Sequence, residues 1–501
     1  MLEINEWIKY VVVFFLIIFI SNVLVHSIDI PSHSYGYAIK SAWFNLTQTP
    51  IDLNDPVLEF KQFVSLASFL LVVAFMLISM KLRSFIAFAA VCLLVFLGAV
   101  EPQFLIRGVE WSLILFLVGT MSFAFILRSI GVFEYVGLKL LEATYKHSFL
   151  LLFSIALLSW FLAMVLDEVT SIVYVSMLIF DIRKLTGFDV KPLIIVSVLA
   201  TNTGSLALPV GNPIGIYLSY TAKLTVREFI LKALPVSTVA FLVIISLSYV
   251  FLKKYIDNLS LSVSSDKFIR KAQLYYIEKL SRDPRHLVIV KIGILLVFGF
   301  LVAILLNEYV CLVLSRIFMD NIDPHYTLSF IPYLFLTLSG IIYGPTKLER
   351  AVESGVDWPS ILFFISLFML GFSLLHTGVS FKIAYLALEY FGGSSSRLSY
   401  ILLILSGGLS SVLDNLSVVV AFSYIAKVVV AITGYNKFYW SILYGGVLGG
   451  NLTPIGSTAN IVAIGLASRE KIEFPLLYWL KYAIPIVFVQ LILSLLYLTI
   501  L

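Results

Sequence analysis

Charged side chains are scarce in this chain. Asp, Glu, Lys and Arg make up 13% of its 501 residues, and hydrophobic residues make up 60%. A soluble domain carries about 25% charged and about 45–50% apolar residues. So few charges cannot cover a water-exposed surface, which excludes a soluble enzyme, and the apolar content excludes intrinsic disorder. Long unbroken apolar runs also disfavour a membrane barrel, whose strands alternate in polarity. A polytopic helical membrane protein remains.

Cysteine is nearly absent, and several chemical motifs are missing. Cys92 and Cys311 are far apart in the sequence, so they predict neither a disulfide framework nor a metal site. The chain lacks a Walker loop, which argues against ATP-driven transport by this chain alone, although an ATPase partner stays open. The net charge of +5 reflects membrane topology signals rather than nucleic-acid binding. We therefore expect no enzyme activity, no organic cofactor and no nucleic-acid partner.

Apolar stretches predict a multi-pass protein in the lipid bilayer. Nine stretches reach the roughly 20 residues that a span needs, and they begin near residues 8, 63, 84, 110, 227, 287, 327, 357 and 474. Two more, 190–220 and 438–467, are interrupted by Gly, Pro, Asn and Thr. A further two, 149–182 and 398–430, carry acids at their centres.

An internal repeat organises these stretches. Gly-Val-Glu-Trp at 108–111 matches Gly-Val-Asp-Trp at 355–358, an offset of 247 residues. Two residues of slippage later, Pro-Val-Gly at 209–211 pairs with Pro-Ile-Gly at 454–456. A fixed offset that matches Trp, Gly, Pro and acids predicts a duplication. We expect a first helix and outer loop over 1–60, repeats over 61–252 and 287–501, and a connector over 253–286.

Basic residues orient the predicted spans. The connector carries eight Lys and Arg residues, which places it in the cytoplasm. The basic residues of the other loops fall on the cytoplasmic side only if the stretches 149–182 and 398–430 each enter and leave the membrane on the same side. These two stretches are then re-entrant hairpins. Each repeat then has five crossings, so the second repeat is inverted, and the first helix brings the total to eleven. The segments 131–147 and 378–392 are expected as amphipathic interface helices, with plain helix extensions as the alternative. We expect a cell-membrane protein with a cytoplasmic N-terminus and an outer C-terminus.

Three carboxylates lie at the predicted membrane depth. They are Asp167, Glu168 and Asp414, and the 247-residue offset pairs the first with the third. A charge at the centre of a membrane helix costs about 2.5–3.5 kcal/mol on insertion scales, so such acids usually serve ion or proton pathways. Oxygens suited to Na⁺ follow each acid, on Thr170, Asn415 and Ser417. A purely structural role, in which each Asp caps the second limb of its hairpin, stays open.

The two interrupted stretches predict broken helices. Proline removes a helical hydrogen bond, and glycine lets the chain leave helical dihedrals. Matched interruptions in two halves indicate the midplane site of a transporter, with ordinary kinks as the alternative. The candidate residues are Asn202, Thr203, Gly204 and Asn212 in the first stretch, and Asn451, Thr453, Gly456, Ser457 and Asn460 in the second.

At these motifs the chain resembles the ion transporter superfamily, which includes arsenite permeases, sodium/proton antiporters, and citrate and dicarboxylate carriers. The most specific match is Gly-Gly-Asn-Leu-Thr-Pro-Ile-Gly-Ser-Thr-Ala-Asn at 449–460, and 410–417 looks like the second hairpin tip. The resemblance implies a scaffold domain, a mobile transport domain, a homodimer and elevator-like alternating access. It also implies a cation or substrate site, with Na⁺ or a proton as coupling ion, at Asp167, Thr170, Asn202, Thr203, Asp414, Asn415, Ser417, Asn451, Thr453 and Ser457.

We therefore predict an all-α membrane protein that acts as a secondary active transporter of an ion or small oxyanion. Because the Asp-centred tips resemble the arsenite and sodium/proton branch, arsenite export is the first choice. Sodium/proton antiport comes second, and sodium-coupled citrate or dicarboxylate transport third. A passive channel or a non-transporting scaffold is the alternative from another class. A channel would conduct without coupling, and a scaffold has no use for membrane acids at symmetric breaks.

Overall fold

Helices make up all the regular structure in the described part of the chain. The computed structural model describes residues 4–31, 35–48, 52–79, 82–144, 147–263, 269–271, 273–274, 284–392 and 394–501. In chain order the helices with bounds are Ile4–His26, Tyr35–Thr47, Pro56–Ile78, Arg83–Phe96, Pro102–Arg107, Trp111–Ser129, Val132–Thr144, Ser148–Val165, Glu168–Thr186, Lys191–Ser205, Pro209–Gly211, Pro213–Thr221, Val226–Glu228, Phe229–Ala233, Leu234–Phe251, Lys253–Val263, Pro284–Phe318, Pro324–Leu328, Ile331–Tyr343, Pro345–Gly355, Trp358–His376, Val379–Phe391, Ser395–Ser410, Asn415–Thr433, Lys437–Gly449, Thr458–Arg469 and Leu476–Ile500.

Nine helical segments within the described ranges are long and apolar enough to cross a membrane. Large apolar side chains stay exposed on them and on their shorter neighbours, for example Phe85 at 74% and Leu477 at 81%. Exposed apolar surface on this scale suits lipid rather than water. The prediction of an all-helical, multi-pass membrane protein is thus confirmed. The two predicted spans near residues 8 and 84 correspond to shorter apolar stretches, Val12–His26 and Arg83–Phe96. The count of eleven crossings, the sides of the termini and the cell membrane stay predictions.

The helix bounds follow the sequence repeat. Three pairs of helices have equal lengths and start and end 247 residues apart: Trp111–Ser129 with Trp358–His376, Val132–Thr144 with Val379–Phe391, and Glu168–Thr186 with Asn415–Thr433. The inverted orientation of the repeats, their boundaries and the interface position of the shortest pair stay predictions.

Glycines end matching helices at matching points. Gly187 and Gly434 have φ values of 72° and 76°, and each donates its backbone N–H to the carbonyl four residues earlier. Only glycine adopts this left-handed conformation without a steric cost, so it is the usual residue after a helix C-terminus. The sequence therefore fixes where the second limb of each hairpin stops.

The chain folds into two compact units. Unit 1 contains Met1–Trp111, Trp358–Gly446 and Leu498–Leu501, and unit 2 contains Ser112–Asp357 and Val447–Tyr497. Each unit draws on both predicted repeats.

Each unit contains one of the two predicted hairpins. Hairpin 1 (Ser148–Val165 and Glu168–Thr186) belongs to unit 2, and hairpin 2 (Ser395–Ser410 and Asn415–Thr433) belongs to unit 1. Within each hairpin the two limbs pack against each other. Their re-entrant course through a membrane stays a prediction.

The predicted connector, 253–286, lies partly outside the described residues. Its first helix, Lys253–Val263, packs against hairpin 1, and the Tyr255 hydroxyl donates to the Asp189 carbonyl at 2.7 Å. Further on, Lys271 Nζ lies 3.3 Å from the Leu185 carbonyl oxygen. The connector therefore contacts the last turn of hairpin 1 and the loop that follows it. Its cytoplasmic location stays a prediction.

Candidate functional site

The tip of hairpin 1 is built around Asp167. The Asp167 side chain caps the second limb: Oδ1 accepts from the Thr170 backbone N–H at 2.8 Å, and Oδ2 from the Thr170 hydroxyl at 2.5 Å. The Asp167 backbone has φ 154° and ψ 163°. This region is essentially reserved for glycine, and occupying it costs about 1–3 kcal/mol. Strain of this kind persists where the surroundings hold a residue in place, often at a functional site.

Glu168 links hairpin 1 to the first broken helix. Its side chain is buried, with 2% exposed, and Oε2 lies 3.4 Å from the Ser205 hydroxyl. Ser205 is the last residue of the first half of that helix. Its hydroxyl also donates to the Asn202 carbonyl at 2.9 Å and accepts from Asn212 Nδ2 at 2.8 Å. An acidic side chain thus reaches the point where the helix breaks.

The first break is shaped by glycine and proline. The helix Lys191–Ser205 gives way to the turn Pro209–Gly211, and a second helix starts at Pro213. Asn212 caps this second helix, with Oδ1 accepting the Gly215 backbone N–H at 2.6 Å. A Cβ at Gly204 would overlap the Trp160 carbonyl oxygen. Gly204, predicted as a site residue, thus allows the backbones of hairpin 1 and the broken helix to approach closely.

A buried amide cluster joins the two breaks within unit 2. Asn202 Nδ2 donates to Asn451 Oδ1 and to Asn460 Oδ1, each at 2.8 Å. Asn460 Nδ2 donates in turn to the carbonyls of Gly450, at 2.8 Å, and Thr453, at 2.7 Å. Because those carbonyls only accept, the orientation of the Asn460 amide is determined. Three predicted site residues, one from the first break and two from the second, therefore meet in one network.

The second break contributes a cap and a turn to the same network. Ser457 caps the helix Thr458–Arg469, and its hydroxyl lies 2.8 Å from Asn460 Oδ1 and 3.1 Å from Asn202 Oδ1. Thr453 and Gly456 form the turn before it, and the Gly456 N–H donates to the Thr453 carbonyl at 3.3 Å. The Thr453 hydroxyl also accepts from the Ile455 N–H at 3.4 Å, and a site role for Thr453 and Gly456 stays a prediction.

Three residues at the cluster escaped the sequence analysis. The Ser237 hydroxyl donates to the Thr203 carbonyl at 2.6 Å, and the Trp479 indole donates to the Asn451 carbonyl at 3.1 Å. Gln490 Nε2 lies 3.3 Å from the Thr203 hydroxyl. Gln490 could have been found, because it is the one amide side chain in the span Leu476–Ile500, and polar residues inside spans are often functional. Ser237 carries no such signal.

The tip of hairpin 2 forms its own cluster in unit 1. Asp414 caps the second limb, and its Oδ2 accepts from the Ser417 backbone N–H at 3.3 Å and from the Ser417 hydroxyl at 3.4 Å. Asn415 is buried, its Oδ1 accepts the Leu416 N–H at 3.0 Å, and its Nδ2 finds no partner among the described residues. The structure thus divides the predicted site residues between two clusters. The cap that was the structural alternative is present at both tips.

Oxygen atoms dominate both clusters. Within the described ranges, no group of three His, Cys, Asp or Glu side chains could hold a metal ion. A cation such as Na⁺ would have to use carboxylate, hydroxyl, amide and backbone carbonyl oxygens, which are the ligands that hard cations prefer. Sodium binding stays a prediction.

Comparisons with known proteins point to one family. The family described as "Citrate transporter" matches residues 72–344 and 328–501. The chain is similar to an uncharacterized transporter of Mycobacterium tuberculosis, with 26% identity over 378 residues, covering 74% of this chain and 81% of the relative. A 46 kDa membrane protein of Mycobacterium leprae is 23% identical over 378 residues, covering 74% and 81%. An uncharacterized transporter of Synechocystis is 22% identical over 386 residues, covering 73% and 80%. The chain is thus a membrane transporter and belongs to the citrate transporter family.

Proposed function

We propose that this protein is a secondary active transporter that carries a small oxygen-rich anion together with protons. One observation carries the proposal: a buried acid at a hairpin tip, Glu168, lies beside a helix break whose amides are tied into one network. Acids in membrane segments usually serve ion or proton pathways. Broken helices at membrane depth expose backbone groups that bind ions and substrates.

The direction of coupling follows from charge. The side chains joined at the breaks are amides, hydroxyls and carboxyl groups. An ionised acid repels an anion, so the anion binds better once a proton or cation has neutralised the acid. By linkage, the anion then strengthens proton binding equally. This reciprocity favours transport of anion and proton in the same direction.

Citrate is the first solute to test, because the family description names it. Arsenite, the first choice from sequence, becomes the second candidate. As(OH)₃ is neutral and could be held by the hydroxyl and amide groups of the breaks. Sodium/proton antiport is the third candidate. A homodimer, elevator-like movement and a non-enzymatic role are part of the proposal and rest on the family resemblance.

Reconstituted protein tests the proposal. Proteoliposomes are given labelled citrate, arsenite or Na⁺ in turn, with an imposed proton gradient, while internal pH is followed. We expect gradient-driven citrate accumulation with a matching proton flux. Asp414→Asn should abolish the accumulation. The control Glu473→Gln alters an exposed acid outside the candidate spans and should leave it intact.

Three results would contradict parts of the proposal. Citrate flux that only runs downhill and ignores the proton gradient would indicate a channel. A pH change driven by Na⁺ alone would indicate an antiporter. Unchanged accumulation in Asp414→Asn would remove that acid from the coupling mechanism.

A further inference from the structure

The hydroxyl group of Thr203 accepts hydrogen bonds from two buried amides. Asn451 Nδ2 and Gln490 Nε2 each lie 3.3 Å from Thr203 Oγ1. Thr203 has no exposed surface, and Gln490 is 1% exposed. A hydroxyl oxygen has two lone pairs and one proton. Because two amides occupy the lone pairs, only the proton of the Thr203 hydroxyl is left for a further partner.

Other contacts of the two amides determine which of their atoms face Thr203. Gln490 Nε2 also donates to the Ala240 carbonyl at 3.0 Å, and a flipped amide would set oxygen against oxygen there. Asn451 Oδ1 accepts from Asn202 Nδ2 at 2.8 Å, which leaves Asn451 Nδ2 on the side of Thr203. Both amides therefore present N–H donors to the Thr203 hydroxyl.

The proton of the Thr203 hydroxyl has no acceptor among the described residues. Threonine in a helix often donates to the carbonyl four residues earlier, which here is that of Leu199. In the helix Lys191–Ser205 this carbonyl accepts the Thr203 backbone N–H, and Asn451 Nδ2 donates to it at 3.4 Å. A carbonyl oxygen has two lone pairs, so its capacity is filled. The Thr203 hydroxyl is therefore an open donor.

The side-chain oxygen of Gln490 is an open acceptor close to that donor. Gln490 Oε1 is buried and accepts no hydrogen bond from the described residues. An amide oxygen lies within about 2.6 Å of its own nitrogen, so Gln490 Oε1 is less than about 6 Å from Thr203 Oγ1. A buried acceptor without a donor costs about 1–3 kcal/mol. Such a pair of groups in the interior of unit 2 points to a ligand that both accepts and donates.

We propose that Thr203 and Gln490 bind a hydroxyl group of the transported substrate, an inference that rests on the proposed function. The oxygen of that group accepts from the Thr203 hydroxyl, and its proton is donated to Gln490 Oε1. With hydrogen bonds of about 2.8 Å, one oxygen atom bridges a separation of up to about 5.6 Å. Thr203 lies in the last turn of Lys191–Ser205, so the bound group lies beside the first helix break.

Two other ligand groups complete only one side chain of the pair. A carboxyl group is ionised at neutral pH, so it accepts from Thr203 but has no proton for Gln490. A sodium ion needs oxygen lone pairs, which the Thr203 hydroxyl no longer has. The substrate class is therefore a small carboxylic acid that also carries a hydroxyl group. Citrate, the solute in the family description, belongs to this class.

Two acids that differ by one hydroxyl group test the inference. Tricarballylate has the three carboxyl groups of citrate and lacks its hydroxyl group. At equal concentrations below saturation, we expect wild-type proteoliposomes to take up labelled citrate about tenfold faster than labelled tricarballylate. Gln490→Met keeps a side chain of similar length without the amide, and it should remove most of this preference. If Gln490→Met does not fold, Thr203→Val replaces it and should reduce the same ratio of rates.

The control is Trp479→Phe, which removes the indole that donates to the Asn451 carbonyl at 3.1 Å. A change that only loosens the packing lowers both rates and keeps their ratio, and we expect this result for the control. The same result for Gln490→Met would overturn the inference, because Gln490 would then have a structural role only.

Three results for the wild type separate this inference from the proposed function. Equal uptake of the two acids would show that water or a carboxyl group completes the pair, and it would overturn the inference while proton-coupled transport stands. A preference for citrate that persists in downhill flux without proton coupling would overturn the coupling and support the inference. A protein that moves neither acid would overturn the inference together with citrate as a substrate.

Discussion

The tips of hairpin 1 and hairpin 2 are both capped by an Asp, but the two caps differ in hydrogen-bond length and backbone conformation. Both place an Asp before the second limb as its cap, at positions 247 residues apart. The cap of hairpin 1 is short, at 2.8 and 2.5 Å, on a strained backbone. The cap of hairpin 2 is long, at 3.3 and 3.4 Å, on a relaxed backbone with φ −58°. An Asp can therefore cap a hairpin limb without a strained backbone. The strained backbone occurs only at the tip of hairpin 1 of the two tips, and that tip also carries Glu168.

The largest expected effect on stability comes from giving the tip of hairpin 2 a second acid, as the tip of hairpin 1 has. Asn415→Glu places a carboxyl group in a buried position, and we expect a loss of about 3 kcal/mol in stability when it is ionised. Thermal unfolding in detergent at about pH 5 and about pH 8 should show the larger loss at the higher pH. Asn415→Gln has the same size without the charge, and it should show no pH dependence. Equal losses in both variants would mean that size rather than charge matters.

The next largest effect on stability distinguishes the glycines at the two helix breaks. A Cβ at Gly204 would overlap the Trp160 carbonyl oxygen, whereas one at Gly450 would lie 3.0 Å from the Gly456 carbonyl oxygen. We expect Gly204→Ala to lower the free energy of unfolding by about 2–3 kcal/mol, and Gly450→Ala by about 1 kcal/mol. Thermal unfolding of the two purified variants measures this difference. The reverse order would show that hairpin 1 shifts easily.

A smaller effect compares the hydroxyls of the two caps. Thr170→Val removes the 2.5 Å bond to Asp167, and Ser417→Ala removes the 3.4 Å bond to Asp414. Hydrogen bonds to charged groups contribute about 1.5–3 kcal/mol, so we expect about 1.5 kcal/mol for the first variant. The second should cost under about 0.5 kcal/mol, since its bond is long. Denaturant or thermal unfolding of both variants measures the two losses of stability. Equal losses would mean that the length of the hydrogen bond does not determine its contribution.

The smallest effect concerns the strain itself. Asp167→Gly loses a cap but relieves a backbone conformation that costs about 1–3 kcal/mol. Asp414→Gly loses a cap of a few tenths to about 1 kcal/mol and relieves nothing. We expect Asp167→Gly to be more stable than Asp414→Gly, each relative to wild type, by about 1 kcal/mol. If the two variants unfold alike, the strain is absorbed elsewhere.

The sequence predicted the class of fold well because the physics behind it is local. Apolar length indicates membrane helices, and Gly187 and Gly434 mark where helices stop. The structure brings the predicted residues Asn202, Asn451 and Asn460 into one hydrogen-bond network, and their role in binding stays a prediction. The crossings, their sides and the inversion of the repeats are still predictions.

The parts that sequence could not provide depend on contacts across long separations. Ser205 looked like one hydroxyl among many, and only the fold brings it to Glu168, 37 residues earlier. Ser237 lies in an apolar span without a pattern around it. The dihedral angles of Asp167 also leave no trace in the sequence, because Asp is a normal cap residue.

The donor and the acceptor of each hydrogen bond in the cluster of Asn202, Asn451 and Asn460 are determined. Backbone carbonyls fix the Asn460 amide, which directs its oxygen to Asn202, which in turn directs its NH₂ group to Asn451. Flipping Asn451 or Asn460 would set donor against donor at Asn202, and flipping Asn202 would set acceptor against acceptor at both neighbours. The three side chains therefore have a single arrangement in which every amide is paired. Movement of one broken helix must carry the other with it or break the hydrogen bonds of the cluster.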